Sequence, residues 1–354
     1  MRILVTGTEG YLGSLLAPIL MRHGHELLAV DTGFYKSGWL YHGASVTPQT
    51  LNKDIRQITT DDLEGMEAVV HMAELSNDPT GELAPQITHA INHKGSVRLA
   101  QLAKGAGVER FVYMSSCSVY GLAAESYVTE ESQLSPQTAY AVCKTLVERD
   151  LKAMADDRFS PTFLRNATAY GASPRMRFDI VLNNLAGLAW TTKEIKMVSD
   201  GTPWRPLVHA LDIAQAIVCT LHAPRGTIHN QIFNVGETTH NYTIREVAEV
   251  IARIFPGCRL TFGQQGADNR SYRVSFDKIK DQLPDFCCTW DALRGAQQLR
   301  DLFEQIGLTS DIFNGRGFTR LKQLEYLIQT RQIDQDFFWS NGQSLVDSTY
   351  LSAQ

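Results

Sequence analysis

The chain has 354 residues, 33 Lys and Arg against 38 Asp and Glu, a net charge of −5 and 44% hydrophobic residues. That length suggests about two domains of roughly 150 residues each, with a core able to form without disulfides or metals, and the apolar fraction excludes disorder. The mild acidity argues against nucleic acid as a partner, since its binders carry a basic excess, and no apolar run approaches the ~18 residues of a membrane span. Thr6-Gly7 ends the first apolar stretch too early for a signal peptide, so the expected protein is cytoplasmic, with no membrane attachment. Cysteines at 117, 143, 219, 258, 287 and 288 form no C-x-x-C pair and read as reduced thiols.

Residues 2–6 read as a short buried strand. Leu12, Leu15, Leu16, Ile19 and Leu20 then recur at helical spacing until Gly24 stops the pattern. Between strand and helix lies Gly7-Thr8-Glu9-Gly10-Tyr11-Leu12-Gly13, a G-x-x-G-x-x-G loop. The first glycine permits the tight turn, the second lets backbone N–H groups approach a diphosphate, and the third lets the helix pack closely on the strand. The helix N-terminus adds a partial positive charge for the anion. This combination predicts dinucleotide binding.

Glu26–Asp31 reads as a second strand ending in a carboxylate. Asp31 is placed to accept both ribose hydroxyls of an adenosine and to repel a 2′-phosphate; Thr32-Gly33-Phe34 follows with no arginine, which favours NAD over NADP. Asp54-Ile55, after an expected third strand, is placed to meet the adenine ring. Strands at 68–72, 110–114 and 162–164 alternate with helical patterns near 84–106 and 138–155, the pattern of βαβ units on a parallel sheet. The regularity fades after about residue 170, with further helices expected near 211–222, 243–254, 291–306 and 317–330.

Two segments carry the chemistry. Tyr140-Ala141-Val142-Cys143-Lys144 places a phenol and an ammonium at i and i+4 on one helix face. The ammonium stabilises the phenolate, lowers its pKa from about 10 and makes the tyrosine a general base. Upstream, Phe111-Val112-Tyr113-Met114-Ser115-Ser116-Cys117-Ser118 runs from a strand into a serine cluster. That puts hydroxyls at the C-terminal edge of the sheet, where open parallel sheets bind ligands.

With these residues in place the sequence resembles the extended short-chain dehydrogenases/reductases, the nucleotide-sugar epimerase/dehydratase group. The match runs through Gly7, Gly10 and Gly13, Asp31, Asp54, Val70-His71-Met72-Ala73, Asn92-x-x-Gly95, Ser115-Ser116 to Tyr120-Gly121, Tyr140-x-x-x-Lys144, Arg165 with Tyr170-Gly171, and Arg205 through His209 and Asp212. The resemblance implies an α/β, Rossmann-type doubly wound parallel sheet with a smaller, mixed α/β C-terminal substrate domain. Residues 1–170 would form the NAD-binding domain, with 211–238 returning to it, and 171–210 with 239–354 the substrate domain. It implies Ser116, Tyr140 and Lys144 as a catalytic triad. It implies cofactor contacts at Gly7, Gly10, Tyr11, Leu12, Gly13, Asp31, Asp54, Ile55, Met72, Ala73, Asn92 and Ser115. It places a nucleotide-diphosphate sugar against Ser76, Asp78, Ser116, Asn183, Asn184, Arg205 and Arg270, and it implies a homodimer through the two long helices near 84–106 and 138–155.

Departures from the family pattern narrow the chemistry. The Thr-Asp-Glu of the 4,6-dehydratases is Ser116-Cys117-Ser118 here, without either acid. The cysteine of 3,5-epimerising members is displaced by one residue to Cys117, so no acid or base role is assigned to it. The H-L-A-A segment reads His71-Met72-Ala73-Glu74, and Glu74 is either an acid/base near the reacting groups or turned toward a structural partner. Trp39 and Tyr41 either cover the site or pack within their loop. The leading expectation is an NAD-dependent nucleotide-sugar epimerase acting at C4 through a transient 4-keto sugar. The alternatives are an NAD(P)H-dependent 4-ketoreductase of a 4-keto-6-deoxy nucleotide sugar, a sugar-acid decarboxylase, and a non-catalytic NAD-binding regulator.

Overall fold

The computed structural model describes residues 1–43, 46–76, 78–122, 126–264 and 271–340. Apolar runs such as Ile3-Leu4-Val5, Val69-Val70 and Phe111-Val112-Tyr113 are buried on both faces, the condition under which parallel strands form. Six of them, β1 (Arg2–Thr6), β2 (Glu26–Asp31), β3 (Thr50–Asn52), β4 (Ala68–His71), β5 (Arg110–Ser116) and β6 (Ser160–Asn166), come in chain order. The chain then leaves for β7 (Thr168–Tyr170), β8 (Glu194–Lys196) and β9 (Trp204–His209), and returns with β10 (Gln231–Val235) before β11 (Asn241–Thr243) and β12 (Arg259–Thr261). The central sheet has seven strands in the order β10-β6-β5-β4-β1-β2-β3, all pairs parallel. This is the Rossmann-type parallel sheet expected from the sequence.

Side chains alternate across the sheet, so its two faces form separate cores. Ile3, Val5, Val70 and Val112 pack under the helices Gly13–Arg22 and Ala210–His222, through Leu16, Leu20, Ile213 and Ile217. Leu4, Val69, Phe111 and Tyr113 pack under Ser96–Gly105 and Ala139–Met154, through Leu99, Val147 and Leu151. A third core, with Leu182, Leu185, Val247, Ile251, Leu299 and Phe303, lies among the helices Val181–Thr192, Ile244–Ile254 and Ala292–Gln305. Beside it sit the small sheets β11-β9-β7 and β12-β8.

Register aligns the C-terminal ends of the central strands. Thr6 pairs with Val30 and His71, and Ser116 with Asn166, so Asp31, His71, Ser116 and Asn166 all lie along one edge. Strand order reverses between β1 and β4, which opens a crevice at that edge. Among the described residues no helix is long and apolar enough to cross a membrane.

The helical stretch expected near 84–106 is not one helix. Asp78–Leu83 and Pro85–Thr88 are short α-helices, His89–Gly95 is π-helical, and Ser96–Gly105 is the longest regular piece. Ala84, before Pro85, leaves the helical region with φ −147° and ψ 80°. The widened turn brings Asn92 inward, where its amide brackets the backbone of Leu75: Oδ1 accepts from Leu75 N–H at 2.9 Å and Nδ2 donates to Leu75 C=O at 3.0 Å. One turn on, Ser96 meets buried His71 at 2.7 Å, and the other His71 nitrogen meets Thr6 at 2.7 Å. Burial pushes His71 down to about 3, so this bridge between β1, β4 and the helix is made by a neutral imidazole.

Candidate active site

A cavity of about 380 Å³ runs along the strand edge, from the glycine loop to the serine cluster. Gly7 has φ +79°, the left-handed turn that favours glycine. A Cβ on Gly13 would stand 2.1 Å from the Gly7 carbonyl oxygen, so only glycine lets the helix start this close to β1. Gly10 meets nothing nearer than that same oxygen, at 3.1 Å, and its open side faces the cavity. The loop therefore has the shape of a diphosphate cradle, and the residues present fit a dinucleotide. Gly13→Ala is expected to destabilise the fold by about 1–3 kcal/mol through overpacking and to abolish cofactor retention. Denaturation curves and bound-cofactor content check both.

Asp31 stands beside the cradle. Its two oxygens accept from Gly33 N–H at 2.8 Å and Glu9 N–H at 3.0 Å, which fixes the carboxylate toward the cavity. Asp54 and Ile55 also line the wall, and both Asp54 oxygens are taken by the Arg56 guanidinium, at 2.9 and 2.8 Å. Met72 and Ala73 line the floor, their N–H groups donating to Thr6 Oγ1 at 3.1 Å each. Leu12 lines the cavity too, as does Tyr11, whose hydroxyl donates to the Gly171 carbonyl at 2.7 Å.

At the other end Ser116, Tyr140 and Lys144 come together. Ser116 closes β5, and Tyr140 opens the helix that Thr138 caps by accepting from Ala141 N–H. Tyr140 hydrogen-bonds Ser116, and the Lys144 ammonium lies 5.3 Å from the Tyr140 ring centre. Lys144 also donates to the Met114 carbonyl. Burial pushes the Tyr140 phenol upward; Lys144 and the Ser116 hydrogen bond pull it down, and Glu74 and Asp78 push it up again. The lysine acts with the sign expected from the sequence, but the net direction is upward, because burial and two carboxylates outweigh it.

Glu74 turns inward to a partner, and that partner is the lysine itself. Its Oε2 is 2.7 Å from Lys144 Nζ, with both side chains almost wholly buried, and Tyr113 donates to its Oε1 at 2.6 Å. Burial raises the Glu74 carboxyl while Lys144 lowers it, and the net is upward. Burial opposes the Lys144 charge, but Glu74 and Tyr140 more than compensate.

Other residues singled out in the sequence are placed variously around this cavity. Asn183 is fully buried and spends its amide on Gly171 N–H at 2.9 Å and the Arg177 carbonyl at 3.1 Å. Asn184 donates to the Phe178 carbonyl at 2.9 Å. Asp78 accepts from the Thr138 hydroxyl at 2.7 Å, bracing the Tyr140 helix. Ser76 lines the cavity and accepts from Arg177 Nη1 at 3.2 Å. Arg205 sits on β9 with Nη1 on the Trp204 carbonyl, away from the cavity wall. Arg270 lies outside the described residues. Cys117 is buried with its thiol on the Arg165 carbonyl, and burial pushes it far above its usual range. Trp39 is 41% exposed and stacks with Arg175 at 4.1 Å, so it packs against the segment after Gly171.

Sequence reasoning missed two groups. Ser115, expected to face a cofactor, lines the cavity and donates to Glu148 at 2.5 Å, and Glu148 in turn pairs with Arg165 at 2.6 Å beneath the site. Arg177, Asp179 and Arg320 line the middle of the cavity. The only signal for the latter was the density of charge in Arg175-Met176-Arg177-Phe178-Asp179.

Comparison with known proteins places this geometry. A family model described as the NAD dependent epimerase/dehydratase family matches residues 3–236. The chain is 26% identical to a UDP-glucose 4-epimerase of Bacillus subtilis (strain 168) over 282 residues, 72% of this chain and 82% of that protein. Among solved structures it superposes on MoeE5 in complex with UDP-glucuronic acid and NAD with a TM-score of 0.76 at 24% identity, over 86% of this chain and 99% of that one. It matches DesIV, a dTDP-glucose 4,6-dehydratase of Streptomyces venezuelae with NAD and TYD bound, equally well, with a TM-score of 0.76 at 21% identity over 88% and 100% of the two chains. At these identities the structural matches establish the fold.

Proposed function

The chain belongs to the NAD-dependent epimerase/dehydratase family and is an NAD-dependent enzyme of nucleotide-sugar chemistry; from that premise we propose that it is a nucleotide-sugar 4-epimerase. The observation that carries the reading is the meeting of Ser116, Tyr140 and Lys144 at one end of a cavity whose other end is the glycine loop and Asp31. Carbon 4 and a uridine diphosphate carrier are supported by the B. subtilis relative. The absence of an acid at Cys117 and Ser118 speaks against dehydration.

In this reading the glycine loop, Asp31, Asp54-Ile55 and Met72-Ala73 hold NAD. When bound, NAD supplies the hydride acceptor and donor that interconvert the sugar alcohol and its ketone. The chain's part is the proton at the reacting oxygen. Tyr140 removes it and returns it, Ser116 fixes the oxygen by a hydrogen bond, and Lys144 supplies the positive charge that makes the phenolate accessible. Residues 1–170 with 211–238 act as the cofactor unit and the remainder as the substrate unit. Asn183, Asn184, Arg205 and Arg270 belong to that substrate unit, and two copies pair through the helical segments near 84–106 and the helix Ala139–Met154.

The test is to incubate the purified protein with UDP-, GDP-, CDP- and dTDP-glucose without added cofactor and to follow the anomeric signals by NMR. A C4 epimer from the UDP sugar is the expected result. No epimer from any of them, with NAD(P)H consumed on a 4-keto-6-deoxy nucleotide sugar, makes the protein a ketoreductase instead.

Glu74 gives this mechanism a pH signature. The charged groups facing Tyr140 are Lys144, Glu74, Asp78 and Arg177. Activity that needs the phenolate falls as pH drops below the Tyr140 pKa, and the Glu74 charge raises that pKa. Glu74→Gln removes the opposing charge, so the acid limb of the pH–rate profile is expected to move to lower pH by about one unit. An unmoved limb would separate Glu74 from the proton transfer.

A further inference from the structure

Arg320 opens the helix Arg320–Gln329, far along the chain from the residues it joins at the cavity. It is 4% exposed. Its guanidinium lies over the Tyr35 ring at 3.9 Å, and its backbone N–H donates to Asp179 at 3.2 Å. Arg177, 8% exposed, holds the same carboxylate through Nε at 2.8 Å and Nη2 at 3.2 Å, and reaches Ser76 with Nη1. Two buried cations thus share one carboxylate at the cavity wall, leaving a net positive charge. Burial and the neighbouring Arg177 push Arg320 down to about 10, and Tyr35, Asp179 and Asp31 only partly oppose this.

Position along the cavity says which anion this charge awaits. Arg320 interacts electrostatically with Asp31 on one side and with Arg177 on the other, and Arg177 with Tyr140. The pair therefore stands between the ribose-holding end and the reacting end. In a dinucleotide the group between those ends is the diphosphate, and guanidinium forks match phosphate oxygens bidentately. We infer that Arg320 and Arg177 form an arginine wall for the cofactor diphosphate, facing the glycine loop across the cavity. The loop supplies backbone N–H groups and no cation; the arginines supply the positive charge. The inference rests on the cofactor reading alone and is independent of which sugar reacts.

Binding measured without turnover tests it. Calorimetry on the purified protein, with the NAD retained after gel filtration counted in parallel, compares Arg320→Met with the parent for NAD, ADP-ribose, adenosine and UDP. The expected result is binding of NAD and ADP-ribose about ten- to a hundred-fold weaker, with adenosine and UDP unchanged, the size of a lost charge-assisted contact. Arg320→Lys, which keeps the charge and loses the fork, is expected to fall between and guards against a methionine variant that fails to fold. Loss of UDP or UDP-glucuronate binding with NAD unaffected would overturn the inference and assign the arginines to substrate. An equal loss for adenosine would make Arg320 a purely structural residue, and that outcome also overturns it.

Discussion

Tyr140→Phe is expected to lower turnover by about 10²- to 10⁴-fold, the contribution of a positioned acid/base group. The phenyl ring retains the packing of the tyrosine and the approach of Lys144, which lies over the ring centre rather than only at the hydroxyl. Cofactor retention is therefore expected to survive. The lost hydroxyl is the one that meets Ser116, so the oxygen of the substrate loses its proton acceptor while keeping a hydrogen-bond partner. Epimer formation followed by NMR, together with NAD content of the same preparation, measures both halves. Full turnover in the phenylalanine variant would remove Tyr140 from the reaction and with it the reading of the site.

The second large effect lies below the site. Arg165 and Glu148 form an ion pair at 2.6 Å with 2% and 4% of their side chains exposed. Arg165 also donates to the Tyr120 hydroxyl at 3.0 Å, and that hydroxyl donates to Asn234 on β10 at 2.7 Å. Glu148→Ala strands a guanidinium that stays charged at any accessible pH, so a loss of about 3–5 kcal/mol is expected. Arg165→Met is expected to cost less, because the abandoned carboxyl escapes by taking up a proton. Replacing both partners with apolar residues is expected to recover most of the loss. Chemical denaturation of the three variants gives the ordering. Equal losses for the two single variants would mean that the pair acts through packing rather than charge.

What the sequence revealed follows from what is local. The inner strands of the central sheet, such as β1, β4 and β5, are built on apolar runs. The glycine loop joins one of them to an amphipathic helix, and Tyr140 and Lys144 lie one helical turn apart. Each is a pattern within a few residues. Within the 84–106 stretch the widened turn at His89–Gly95 was hidden because its setting is tertiary: it lets Asn92 hold Leu75, and periodicity alone carries no sign of that. Glu74 was visible as an oddity, but its direction depends on Lys144 and Tyr113 arriving from a helix and a neighbouring strand. Asn183 reads like a ligand-binding amide, yet its position is fixed by the backbone of Gly171 and Arg177. Arg177 and Arg320 share a carboxylate only after the chain has folded back on itself.

That return continues beyond the helix. Gln323 donates to the Phe34 carbonyl, Trp339 Nε1 to the Thr32 carbonyl at 2.7 Å, and Arg56 to the Asp336 carbonyl at 2.8 Å, so the segment up to 339 clasps the loop after Asp31. The cleft thus joins residues 280 to 307 positions apart in the chain. A nascent chain stalled near residue 236 has every strand of the central sheet but not this clasp. Removing residues 320–339 would likewise leave the sheet in place and the loop after Asp31 unclasped.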